Sequence, residues 1–203
     1  EAIADANNDN AAQSDCAAGS GADVIVLNVS GTYTLGGTEL SVTSNITIQE
    51  GSGVTAVISG NNSSRIFNVS TTDGNLTLNG LTVQDGSSAA SGGCIQVGAL
   101  SGGTLNFQNG TLQNCTTTNS GGAIGTTGGT HSITITNSTL QNNTSGINGG
   151  AFSQAGTATT LSISGSTFTN NRAGTVTGAQ GGAIAYTGGT GSSMSITGST
   201  FTG

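Results

Sequence analysis

Gly121-Gly122-Ala123-Ile124, Gly149-Gly150-Ala151-Phe152 and Gly181-Gly182-Ala183-Ile184 repeat one phrase, and Gly92-Gly93-Cys94-Ile95 is a fourth copy of it. The copies start 29, 28 and 32 residues apart. A second phrase keeps step with the first: Thr82-Val83-Gln84-Asp85, Thr111-Leu112-Gln113-Asn114, Thr139-Leu140-Gln141-Asn142, Thr167-Phe168-Thr169-Asn170 and Thr200-Phe201-Thr202-Gly203, spaced by 29, 28, 28 and 33. A repeat that absorbs insertions without losing its phrases points to a solenoid, in which each unit buries its apolar face only against its neighbours.

The third recurring element is a short alternating run: Leu76-Thr77-Leu78, Leu105-Asn106-Phe107, Ile133-Thr134-Ile135, Leu161-Ser162-Ile163 and Met194-Ser195-Ile196. Successive side chains of a strand point to opposite faces. Leu76 and Leu78 therefore point inward with Thr77 outward, and Val83, Leu112, Leu140, Phe168 and Phe201 point inward in the second phrase. The expected fold is all-β, a right-handed parallel β-helix with three short strands per coil. About seven coils give a rod on the order of 30 Å long. Residues 1–22 are expected to form a short N-terminal cap, and residues 23–203 the solenoid.

Like residues should lie above like residues in such a stack. Asn114, Asn142 and Asn170 are then expected to form an amide ladder. The glycine pairs should sit at a tight corner where a Cβ does not fit.

Charged residues are 5% of the 203-residue chain, against ~25% in ordinary soluble domains. Arg65 and Arg172 are the basic side chains, and the net charge is −7. This surface offers no counter-charge to phosphate, which excludes nucleic acid and anionic membrane as partners. No apolar run reaches the ~18 residues of a membrane span. Glu1 is not an initiator Met, and a mature or partial chain is the expectation. A neutral, hydroxyl-rich surface without Lys fits an extracellular or cell-surface setting.

The Gly-Gly-Ala-Ile phrases at 121–124, 149–152 and 181–184 and the Thr-Phe-x-Asn phrase at 167–170 resemble the repeats of the polymorphic outer-membrane protein family. The head of the chain, Glu1-Ala2-Ile3-Ala4-Asp5-Ala6-Asn7 with Asp15-Cys16 and Asp23-Val24-Ile25-Val26-Leu27, is similar to the start of secreted bacterial β-helix proteins that open with Cys-Ser-Leu-Arg-Glu-Ala. The resemblance implies a right-handed parallel β-helix used as a stalk, adhesin or passenger at a cell surface. It places a partner for Cys16 upstream of Glu1. It brings no catalytic residue and no cofactor.

Parallel β-helices also house polysaccharide lyases and glycosidases, and these need converging carboxylates or Ca²⁺ ligands. The regular region has only Asp73 and Asp85, so no enzyme is expected. His131, the single histidine, has no nucleophile motif or acid nearby in sequence and reads as a polar turn residue. Asp5-x-Asn7-x-Asp9-Asn10 opens like a calcium loop, but Asn10 stands where Gly is needed and Cys16 where Glu is needed. No metal is expected. Three cysteines leave at least one unpaired within the chain. A Cys94–Cys115 bridge would suit an extracellular stalk. Their places on different phrases favour free thiols, filling core positions.

Thr200, Phe201 and Thr202 form the last strand phrase, and no polar cap follows them. Two explanations fit this edge, a chain that continues beyond the segment or copies that stack end to end, and the first functional expectation is a structural stalk or filament subunit assembling end to end. A host or surface glycan is its second expected partner. The alternative is ice or glycan binding through the outward columns Thr82, Thr111, Thr139, Thr167, Thr200 and Gln84, Gln113, Gln141, Thr169, Thr202. Carbohydrate-active enzyme chemistry ranks last.

Overall fold

The computed structural model describes residues 1–9, 21–70, 74–98, 102–174 and 176–203. It is a parallel β-solenoid of about five turns, with one short helix, Ala2–Asn8, at its N-terminal end. Every pairing between its strands is parallel. The three phrases occupy distinct stretches of wall. The Thr-apolar phrase builds a seven-stranded sheet running from Gly31–Thr34 to Thr200–Thr202. The alternating runs and the segments after the glycine pairs share an eleven-stranded sheet. They join because Ile124–Thr136 and Phe152–Ser164 continue as single 13-residue strands through the corner between them. Three two-residue strands, Ser87–Ser88, Thr116–Thr117 and Thr144–Ser145, close the remaining corner.

The registers place like on like. Leu76, Leu105, Ile133, Leu161 and Met194 form one inward column; Leu78, Phe107, Ile135, Ile163 and Ile196 form the next. Val83, Leu112, Leu140, Phe168 and Phe201 form a third on the opposite wall. These columns are buried except at the last coil. Short Leu, Ile and Val runs suffice as a core because each coil covers the one below at the ~4.8 Å strand spacing.

The glycine pairs at 92–93, 121–122 and 149–150 mark a corner where a Cβ does not fit. Gly92, Gly121, Gly149 and Gly181 all have φ between 59° and 77°. A Cβ at Gly121 would collide with the Ile124 carbonyl, and one at Gly122 with the carbonyl of Gly150 in the next coil.

The free-thiol expectation for Cys94 and Cys115 is corrected: the two form a disulfide, with Cα atoms 5.4 Å apart. Distance between phrases in sequence misled. Cys94 stands in the column of Ala123 and Ala151, directly across the corner interior from Gly86. Cys115 lies one coil above Gly86. The missing side chain at Gly86 leaves room for the bridge. Both sulfur atoms are buried.

The helix covers part of the N-terminal end. Asn7 caps a strand edge, donating from Nδ2 to the Ser41 carbonyl (2.8 Å) and accepting from the Thr43 amide (2.8 Å). Ala6 is buried against the first coils. Cys16 and the rest of the expected cap, 10–20, lie outside the described residues.

Candidate functional site

The expected ladder residues have a backbone reason for being asparagine. Asn114, Asn142 and Asn170, with Asp85 below them, have φ of 54–55°. Each ends a strand of the seven-stranded sheet and turns the chain at the corner. Asn and Asp are the side-chain-bearing residues that best tolerate this left-handed conformation. Their exposed amides make long contacts along the stack: Asn114 Nδ2 to Asp85 Oδ1 at 3.3 Å and Asn170 Nδ2 to Asn142 Oδ1 at 3.4 Å.

The tighter ladder is one residue further on and faces inward. Asn143 is fully buried. Its Nδ2 donates to Asn171 Oδ1 (2.9 Å) and to the Leu112 carbonyl (3.1 Å), and its Oδ1 accepts from the Cys115 amide (3.0 Å). Asn171 repeats the pattern, donating to the Leu140 carbonyl (2.8 Å) and accepting from the Asn143 amide (3.2 Å). These amides satisfy backbone groups that the corner takes out of the strand ladders. The Asn-Asn doublets at 142–143 and 170–171 were the available signal. The first Asn of each drew the reading because it continues the obvious phrase.

On the outer wall the glutamines also bond to one another. Gln141 Nε2 donates to Gln113 Oε1 and Gln113 Nε2 to Gln84 Oε1, both at 2.7 Å. Above them Thr169 and Thr202 hydroxyls lie 3.2 Å apart. Each link uses one N–H and one oxygen lone pair of an amide that has two of each.

The sequence pattern gave no hint of the Arg65 clamp. This guanidinium is buried, with Nε donating to the Gly92 carbonyl (2.9 Å) and Nη2 to Ser88 Oγ (2.9 Å) and the Ser91 carbonyl (3.2 Å). Its Nη1 pairs with Glu39 (2.8 Å), whose other oxygen accepts from Asn68 (2.7 Å). Burial lowers the Arg65 pKa, and the Glu39 charge and hydrogen bond oppose that shift. The clamp ties three coils together at the corner where the regular repeat begins.

Among the described residues, Asp85 and His131 stand apart, each in its own surroundings. Asp85 sits at its corner beside Ser59 Oγ (3.4 Å) and Asn114. Asp73 lies outside the described residues. His131 is buried inside the coil rather than in a turn, a correction forced by its place in the strand Ile124–Thr136. Asp5 and Asn7 lie on the helix, and Asp9, in a left-handed conformation at its C-cap, accepts from the Gly21 amide (2.8 Å). A helix here cannot wrap a cation as a calcium loop does. Among the described residues no three His, Cys, Asp or Glu side chains group as metal ligands.

Two end surfaces remain. An apolar hollow of about 240 Å³ lies under the helix, lined by Ile3, Ile25, Leu27, Tyr33, Leu35 and Leu40 among others. At the other end Met194, Ile196 and Phe201 are 48%, 39% and 43% exposed, with the Phe201 ring stacked 4.7 Å from Phe168. Among the described residues no helix is long and apolar enough to cross a membrane. No protein-family model, curated protein or solved structure matches the chain.

Proposed function

We propose that this chain is a structural β-solenoid of an oxidising, extracytoplasmic setting, serving as a stalk or display scaffold and not as an enzyme. The observation that carries the reading is how the polar groups are used. The Asn143–Asn171 and Gln84–Gln113–Gln141 ladders bond from coil to coil and stiffen the rod. They do not converge on a pocket with shifted acids and bases, as a catalytic site requires. The Cys94–Cys115 disulfide supports the compartment, since such bonds persist outside reducing cytosol. In its finer form the reading is a right-handed coil of about seven levels with three short strands each, and the seven-stranded sheet supports the level count. The likeness of the repeat phrases to the polymorphic outer-membrane family belongs to the same reading.

The test is thiol mapping by mass spectrometry on protein alkylated before cell lysis, with surface protease digestion in parallel. Protein with the 94–115 pair bridged and cleaved from outside is the expected result. Reduced thiols at both positions, or full protection from external protease, would overturn the setting.

End-to-end assembly through Thr200, Phe201 and Thr202 is a second reading, favoured by one observation. The last described coil presents unpaired strand edges over uncovered Met194, Ile196 and Phe201. Such an edge needs a cover, either further coils of the same chain or the first coil of another copy. Sedimentation of the full-length native protein over a range of concentrations separates the two. A concentration-independent monomer removes the filament. For the ice or glycan alternative, the glutamine ladder uses part of each amide, and the threonine column stands beside it. Absence of thermal hysteresis removes ice.

A further inference from the structure

One inward column changes character partway up the rod. It reads Val42, Val69, Val97, then Thr126, Gln154, Tyr186. The facing position changes at the same height. Gly103, whose absent side chain leaves space for Val97, gives way to His131 and then Thr159. Thus three consecutive coils turn polar side chains into an interior that is otherwise Leu, Ile, Val and Phe. Burying such groups is unfavourable unless they are hydrogen-bonded.

Some of them are paired. Gln154 Nε2 donates to Ser192 Oγ (3.3 Å), which also accepts from the Thr159 amide (3.1 Å), and the Tyr186 hydroxyl donates to the Thr159 carbonyl (2.6 Å). His131 Nε2 lies 3.2 Å from the Thr127 carbonyl. A carbonyl only accepts, so Nε2 carries the proton and Nδ1 presents a lone pair. That Nδ1 and the Thr159 hydroxyl have no partner among the described residues, although both residues are at least 98% buried (2% and 0% exposed) and adjacent in register.

We propose that this corner is a closed binding site for a single water molecule, which donates one hydrogen to His131 Nδ1 and accepts from the Thr159 hydroxyl. Two independent polar groups, a donor and an acceptor on adjacent coils, match the partners that a buried water uses. The site is separate from the scaffold reading and does not depend on it.

The test is nuclear magnetic resonance on the intact chain. The wild-type protein should show His131 as the Nε2–H tautomer and a long-lived internal water with cross-relaxation to the His131 ring. Thr159→Val should abolish that water signal while the remaining amide spectrum stays folded. Three results would overturn the proposal: no long-lived water at the ring, a direct scalar coupling between the Thr159 hydroxyl and Nδ1, or the Nδ1–H tautomer. The tautomer and the water are read on the wild-type chain, so a poorly folding variant leaves the test intact.

Discussion

Replacing Cys94 and Cys115 together by alanine removes a cross-link that closes a segment of 21 residues. For a loop of that size the chain-entropy argument gives a loss of about 3 kcal/mol. The repeat itself suggests a second variant. The neighbours of Cys94 in its column are Ala123 and Ala151, and those of Cys115 are Asn143 and Asn171. Cys94→Ala with Cys115→Asn therefore extends the buried amide ladder by one rung. By analogy with Asn143, the new amide would donate to the Val83 carbonyl and to Asn143 Oδ1. That recovers about 1 kcal/mol, the net worth of a well-made hydrogen bond. Urea unfolding followed by far-ultraviolet circular dichroism measures both. With a slope of about 2–3 kcal/mol/M, the double alanine variant should unfold about 1 M earlier than the oxidised wild type. The Cys115→Asn combination should fall between them. An unchanged midpoint for the double alanine variant would show that the bridge does not clamp the coils. Equal midpoints for the two variants would refute the ladder logic.

Four further substitutions probe the other supports. Gly121→Ala forces a left-handed residue and a collision with the Ile124 carbonyl; it should cost at least about 1–2 kcal/mol, read as a lower thermal midpoint. Arg65→Ala leaves the Gly92 and Ser91 carbonyls without their partner, while Glu39, 35% exposed, keeps Asn68; the loss should be about 2–3 kcal/mol by urea titration, and a loss below about 1 kcal/mol would mean that the clamp is dispensable. Gln113→Ala, on the exposed wall, should change stability by no more than about 1 kcal/mol, whereas Asn143→Ala strands the Cys115 amide and the Leu112 carbonyl and should cost about 2–3 kcal/mol, so equal effects in the same assay would contradict the inward placement of Asn143.

The strands and their registers were legible because a parallel solenoid writes its core periodically. Leu112 and Leu140 sit in identical surroundings one coil apart, so identical phrases suffice to align them. The corners were less legible, because there the chain meets partners from other phrases. Cys94 and Cys115 differ in phrase yet share a corner interior, and Gly86, which makes room for their bridge, looks like any other turn glycine. Arg65 occurs once, so no repeat announces that it spans three coils. The asparagines show the same limit from the other side. Recurrence revealed that Asn114, Asn142 and Asn170 are equivalent, but not whether the amide or the backbone demanded them. A φ near 55° shared by all four positions shows the demand is backbone turning, which Asp85 meets as well as the asparagines do while accepting from Asn114 at the foot of the column. The buried amide demand falls on Asn143 and Asn171, where a carboxylate could accept from the next coil but could not donate to Leu112 or Leu140. The substitutable column and the strict one stand next to each other in sequence, and only the direction in which each side chain points separates them.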